Sequence, residues 1–184
     1  MSLTEETRRA VNERVSRLRE EYGEFSVSGD TVELPREEFD AAREQARRSQ
    51  AGSASACVLD GDRLLLVRTR ESGELWGVPG TTTDGDESLE AAAVRAVREA
   101  VDVRCAVSGL HRVRRRRVVP VDGDDRAIHS LWTLFDARHE SGSPRACGDA
   151  VTDVAWWESP PDAVHASVQF RVDSWANAAG PATR

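Results

Sequence analysis

The chain has 184 residues, 31% of them charged, and a formal net charge of −7. That is enough for one ordinary domain with an extension, and the balance of charge is that of an acidic, soluble protein. No run approaches the roughly 18 apolar residues of a membrane helix, and the N-terminus is too charged for a signal peptide, so the cytoplasm is the expected location. All 25 basic residues are Arg, and Cys57, Cys105 and Cys147 lie far apart without CxxC spacing, so neither a zinc site nor a disulfide framework is indicated.

Along the chain, Val11, Val15, Leu18 and Tyr22 recur at helical spacing and predict an amphipathic helix. Phe25 and Val27, then Val32 and Leu34, alternate around Ser28-Gly29-Asp30, which predicts a small hairpin. Pro35 opens a second helix, with Glu37 and Glu38 in its first turn, where the helix dipole favours negative charge. Residues 49–55, rich in Gly, Ala and Ser, read as a joint, dividing the chain into an N-terminal helical extension (1–50) and a main domain (51–184). The extension is expected to pack on the main domain for stability, with a cap over the substrate site or a homodimer arm as the functional readings. Acidic residues are interleaved with its arginines, so no nucleic-acid contact is expected.

From about residue 54 the pattern changes to strands. Residues 56–59 and 63–68 are apolar runs joined by Asp60-Gly61-Asp62, a hairpin signal. A helix over 88–101 follows, with Ser88 as N-cap and Leu89, Ala93, Val97 and Ala100 as its buried stripe. Residues 103–119, 130–137 and 151–157 read as strands, and a last helix closes the chain.

The segment between the second strand and the long helix carries the chemistry. Leu75-Trp76-Gly77-Val78-Pro79-Gly80, then Glu87, then Arg95-Ala96-Val97-Arg98-Glu99-Ala100 resembles the Nudix box, a Gly and Glu followed by Arg-Glu-aliphatic-any-Glu-Glu-any-Gly-aliphatic. Glu87, Arg95, Val97, Glu99 and Val103 match in register. Thr81 replaces the first Gly, Ala96 and Ala100 replace two glutamates, and Asp102 replaces the last Gly. The resemblance covers roughly residues 52–175 and implies a Nudix-type α/β/α sandwich with a mixed sheet, here carrying an N-terminal helix-hairpin-helix extension. It also implies hydrolysis of nucleoside diphosphates linked to another moiety, with Mg2+ or Mn2+.

Positions 96, 99 and 100 are three and four residues apart and share a helical face, where three glutamates would gather the oxygen ligands that Mg2+ requires. Here only Glu99 remains, and the resemblance assigns it the metal and the catalytic role. Thr81 would offer a backbone carbonyl where a Gly stood, at the risk of backbone strain. Asp102 and Asp149 are the candidate replacement carboxylates, with Glu140 a weaker one. Asp102 sits at the fraying end of the helix, and Asp149 is also explained as a turn cap after Gly148. Gly80, Glu87 and Arg95 carry the structural part of the box, Glu and Arg tying loop to helix. An Arg95 to Glu99 pair on a solvated face is the plain alternative for those two residues.

Arg112, Arg114 and Arg116 belong to the one concentrated basic cluster and are candidates for gripping a diphosphate. Neutralisation by Asp122, Asp124 and Asp125 across a hairpin explains the same residues without a ligand. Trp132, Trp156 and Trp157 could stack a base but, as strand aromatics, read as core, and His111, His129, His139 and His165 lack metal-ligand spacing. Two functions remain: a divergent hydrolase of weak or lost activity, and a non-catalytic Nudix-fold module for nucleotide binding or protein interaction. A Glu99 locked to Arg95 or turned into an apolar interface would overturn the hydrolase reading.

Overall fold

The structure is a computed structural model; it describes residues 1–48, 52–123 and 125–178. Its elements in chain order are α1 (Leu3–Tyr22), β1 (Val27–Leu34), α2 (Arg36–Arg47), β2 (Gly52–Asp60), β3 (Arg63–Thr69), β4 (Gly80–Thr82), α3 (Leu89–Val101), β5 (Arg104–Pro120), β6 (Ile128–Ser141), β7 (Val151–Trp157) and α4 (Ala166–Ala178). The strands form one seven-stranded sheet in the order β1-β5-β6-β2-β3-β7, with β4 on β2. It is mixed: β1 runs parallel to β5, whereas β3 is antiparallel to both β2 and β7. This is the expected α/β fold with an N-terminal helical extension. The chain divides into two compact units: residues 1–54, 81–92 and 112–134 form one, and residues 55–80, 93–111 and 135–184 the other.

In the first unit, α1 starts in a capping box. Ser2 Oγ accepts the Glu5 N–H at 3.3 Å, and the Ser2 N–H donates to Glu5 Oε2 at 2.9 Å, so two orphan donors are satisfied reciprocally. Gly23, at φ 77°, ends the helix where a side chain would be strained. Thr7, Val11, Val15 and Leu18 form the buried stripe, while Tyr22 is half-buried and donates its hydroxyl to Glu90 at 3.3 Å. Thr4 and Thr7 anchor the N-terminal half of α1. The Thr4 hydroxyl exchanges hydrogen bonds with the backbone of Ala127 at 2.8 and 3.0 Å, and Thr7 Oγ1 accepts the His129 N–H at 3.1 Å.

The hairpin expected at Ser28-Gly29-Asp30 is a single straight strand. β1 pairs continuously with β5 from Val27↔Val113 to Leu34↔Pro120, and Gly29 is not in the left-handed region a tight turn needs. The apolar phase slips between Val27 and Val32, which imitates a turn in the sequence. A ladder with a distant strand supplies the hydrogen bonds instead. α2 then buries Phe39 with Ala46 and Ile128, flanked by Leu3, Leu34, Ala42 and Val118.

Residues 49–51 of the expected joint lie outside the described residues; Gly52 to Ser55 already belong to β2. Gly52 is needed there because the Arg14 guanidinium lies flush on its backbone. A Cβ at position 52 would stand 1.9 Å from Arg14 Nη1. Arg14 Nη1 donates to Thr83 Oγ1 at 3.2 Å, and the fully buried Thr83 reaches the Gly52 carbonyl through its N–H at 2.9 Å.

In the second unit, β2 and β3 pair Leu59 with Leu64 and Asp60 with Arg63, and Gly61 turns the chain at φ 59°. Leu64, Leu65 and Leu66 are fully buried, and β7 lies antiparallel to β3 with Leu65 opposite Trp156. α4 contributes Val168, Val172 and Trp175 to burial, and Trp175 Nε1 donates to the Asp62 carbonyl at 2.9 Å. Arg171, almost fully buried, pairs with Asp136 at 2.7 Å, and His111 stands 3.8 Å from the other carboxylate oxygen. Such an ion pair is costly to desolvate and costlier to break.

Candidate functional site

The lead-in to the box is held by backbone bonds in the second unit. Val67 and Gly77 exchange hydrogen bonds at 2.9 and 2.8 Å, the Trp76 N–H donates to the Ala163 carbonyl at 2.9 Å, and the Trp76 carbonyl accepts the His165 N–H at 2.8 Å. The Trp76 ring meets Trp157 edge-on at 5.1 Å, and Arg68 stacks over it at 4.6 Å. Arg68 in turn pairs with Asp153 and, at 3.1 Å, with Glu74. The hydrogen bond from Arg68 holds the Asp153 carboxyl below its usual range. No local pattern in the sequence marks the Arg68 and Asp153 pair, because the partners are 85 residues apart.

The acidic turn belongs to the first unit. Gly80 and Thr81 lie in β4, and Thr81 has no positive φ, so it carries none of the strain expected where Gly stood. Gly85 takes φ 49°, the Glu87 carboxylate accepts the Asp84 N–H at 3.0 Å, and the Glu87 N–H returns to the Asp84 carbonyl at 2.8 Å. Ser88 caps α3 by accepting the Ala91 N–H at 3.1 Å. Helix α1 reaches this segment: Arg17 pairs with Glu90 at 3.1 Å, and Arg14 bonds Thr83. A cleft of about 630 Å3 lies between α1, the end of α2 and residues 85–88.

Along α3 the box face is graded. Ala96 is 4% exposed, in the buried surface with Ala92, Ala93 and Val97, whereas Glu99 is 57% exposed by side chain. Ala100, expected in the buried stripe, is half-buried, and Val101 is fully buried instead. Glu99 Oε2 accepts from Arg95 Nη1 at 3.3 Å, the i,i+4 pair named as the plain alternative.

The helix ends at Asp102, the one non-glycine residue with positive φ among those described, at 57°. The Nudix pattern has Gly here, and the left-handed conformation is the reason Gly suits it. The last carbonyls are closed by the 142–148 loop: Ala100 accepts the Cys147 N–H at 2.9 Å and Val101 the Arg145 N–H at 3.1 Å. Asp102 Oδ2 is taken by Arg145, at 2.8 Å from Nη2 and 2.9 Å from Nε. Gly142 lets the loop approach, since a Cβ there would lie 2.8 Å from the Asp102 carbonyl oxygen. Nothing in the local sequence of Arg145 announces a partner 43 residues away.

Asp149 is exposed in the turn that leads into β7, after Gly148 at φ 70°, and Glu140 is exposed near the end of β6. Among the described residues no three His, Cys, Asp or Glu side chains converge as cation ligands. Glu99, Asp102 and Asp149 are thus not gathered, and the residues present do not fit the multi-carboxylate metal cluster that the family pattern implies. The arginines of β5 are engaged differently from one another. Arg114 stacks over Trp132 at 5.8 Å, Arg116 pairs with Asp30 at 3.4 Å, and Arg112 is half-buried.

The family model for the NUDIX domain matches residues 50–176. No curated protein matches significantly. Among solved structures, the chain is similar to a MutT NUDIX hydrolase from Burkholderia pseudomallei, with 22% identity and TM-score 0.51, covering 67% of this chain and 95% of that one. It is also similar to an ADP-ribose pyrophosphatase from Streptococcus suis, with 14% identity and TM-score 0.50 over 73% of this chain and 95% of that one. A UDP-X diphosphatase gives 12% identity and TM-score 0.52 over 80% and 71%. Among the described residues no helix is long and apolar enough to cross a membrane. With the box lead-in, the capped helix and the sheet order all present, the chain belongs to the NUDIX domain family.

Proposed function

We propose that this chain is a Nudix-family protein that binds a nucleotide diphosphate-type small molecule and in which phosphoanhydride hydrolysis is weak or lost. One observation carries the reading: the surviving box carboxylate, Glu99, is paired to Arg95 3.3 Å away, while Ala96 beside it is buried. A single carboxylate shared with a guanidinium is a poor substitute for three that would gather oxygen ligands around a hard cation. The ligand class is suggested by similar proteins, named for ADP-ribose and UDP-linked substrates. Gly80, Glu87 and Arg95 keep their part in the loop and helix geometry, and Arg112, Arg114 and Arg116 are the candidate phosphate contacts.

A second reading, a divergent pyrophosphohydrolase using Mg2+ or Mn2+, is favoured by the exposure of Glu99. An exposed i,i+4 pair contributes only a few tenths of a kcal/mol, so a cation brought with the substrate competes for that carboxylate. Thr81, Asp102 and Asp149 are its other proposed ligands; Asp102 would first have to leave Arg145.

Purified protein is assayed with Mg2+ or Mn2+ against ADP-ribose, dinucleotide and nucleotide-sugar diphosphates, with binding measured in parallel by calorimetry. Binding without turnover supports the first reading. Turnover abolished by Glu99→Gln supports the second, and neither binding nor turnover removes both. Activity that survives Glu99→Gln sinks the metal assignment.

A further inference from the structure

The arginine run of β5 is split by strand alternation. Arg114 and Arg116 are engaged by Trp132 and Asp30. Arg115 and Arg117 have side chains on the other face of the strand, both are exposed, and neither has a carboxylate within ion-pair distance among the described residues. The same is true of Arg8 on α1, next to the Thr7 hydroxyl that fixes the His129 backbone. In the parallel register Arg115 stands beside Gly29 and Arg117 beside Thr31. Gly29 has no side chain to fill the space, and a Cβ there would meet nothing closer than 3.9 Å. The result is a shallow hollow of about 260 Å3, bounded by Gly29 to Thr31, Arg115 to Arg117 and His129.

We infer that this hollow binds a phosphate group carried by a small molecule. The Cα atoms of two residues that lie two apart on one strand are about 6.6 Å from each other, a spacing from which two long arginine side chains can reach one phosphate. Guanidinium forks give paired, charge-assisted hydrogen bonds to phosphate oxygens. The volume admits a phosphate head and its ester linkage, while whole drug-sized ligands take roughly 300 Å3 or more. Like charges gathered on one strand favour an anion beside them, on a chain whose overall net charge is −7. His129 reports that field: burial first, then Arg117, Arg8 and Arg115, push its imidazole below the ordinary value. Asp30, already held by Arg116, is the one carboxylate bordering the hollow. All these residues lie in the first unit, and the inference does not rest on what the α3 carboxylate does.

The test is calorimetric titration of the full chain with inorganic phosphate and with AMP, at constant ionic strength with chloride as reference. Saturable binding of either is expected, and the stronger arm identifies the source as free phosphate or a phosphate ester. Arg115→Gln with Arg117→Gln should weaken it roughly ten-fold or more, on the scale of a charged hydrogen bond, while Arg104→Gln, a charge control elsewhere, should not. Arg117→Gln alone should give an intermediate loss, and circular dichroism verifies folding. In a proton NMR titration His129 should titrate higher with the anion bound. No saturable binding of either probe, equal weakening by Arg104→Gln, or an unmoved His129 would overturn the site. So would binding of a single-stranded oligonucleotide alone, which would assign the patch to nucleic acid.

Discussion

Arg14 and Gly52 fit together because one of them has no side chain: a Cβ on residue 52 would stand 1.9 Å from Arg14 Nη1 and 3.1 Å from a Leu89 methyl. Gly52→Ala is therefore expected to destabilise the protein by about 1 kcal/mol, the low end of the overpacking range, because the Arg14 side chain can shift. Urea denaturation measures it. In an Arg14→Ala background the same substitution should cost less, because only the Leu89 contact remains. An unchanged cost in the double-variant cycle would show that the seat is not what Gly52 serves.

Restoring the box glutamate at position 96 should fail. Ala96 is 4% exposed, and a carboxylate there is buried without a partner, so Ala96→Glu is expected to lower stability by about 2 kcal/mol or more at neutral pH. The loss should shrink in acid as the new carboxyl protonates. If Ala96→Glu is as stable as the parent, the helix has more room on that side than its burial indicates. A stability gain with added Mg2+, confined to Ala96→Glu with Ala100→Glu, would show that the family's metal cluster is recoverable here.

At the end of α3, Asp102→Gly and Asp102→Ala separate backbone from charge. Both delete the pair with Arg145, an exposed interaction of small value. Glycine relieves the left-handed conformation at φ 57°, and alanine does not. The alanine variant should be less stable than the glycine variant by roughly 1 kcal/mol, read from thermal or urea unfolding. Equal stabilities would place the weight of Asp102 on Arg145 instead.

Arg171→Met should be among the most damaging single changes in the second unit, at about 3 kcal/mol, because it strands the Asp136 carboxylate beside Cys57 and His111. Pairing it with Asp136→Leu should recover much of that loss. A double variant no better than Arg171→Met alone would contradict the account.

Stability of the first unit should depend on pH through His129. Its folded pKa lies below the ordinary 6.5, so the unfolded chain takes up a proton first. Stability should therefore fall as pH drops from about 6.5, and the decline stops once pH is below the folded value. His129→Gln should remove that part of the slope in urea denaturation between pH 7 and 5. An unaltered slope would assign it to other groups.

Sequence carried the fold further than the site. Helix α3 was legible because Ser88 caps it and Leu89, Ala93 and Val97 keep helical period, and the β2 to β3 hairpin because Asp60-Gly61-Asp62 is local turn chemistry. β1 was misread because its partner is far along the chain. At the site, Ala96 and Ala100 announced the missing glutamates, and the glycine position of the pattern already held the clue to the conformation of Asp102. What no local pattern held was which arginine meets which carboxylate: Arg95 to Glu99 follows from helical spacing, but Arg145 to Asp102 and Arg68 to Asp153 exist only once the strands are placed.

The parallel pairing of β1 with β5 also sets an order of events during synthesis. Asp30 and Arg116 are 86 residues apart, so the early strand has no ladder to join until the middle of the chain has left the ribosome. Until then the apolar positions of β1 and α2 are expected to lack their long-range cover. On this reading β1 is expected to settle only after β5 has been made. Slowing translation before residue 120 should lengthen the time it remains sensitive to protease, by comparison with a chain released at normal speed.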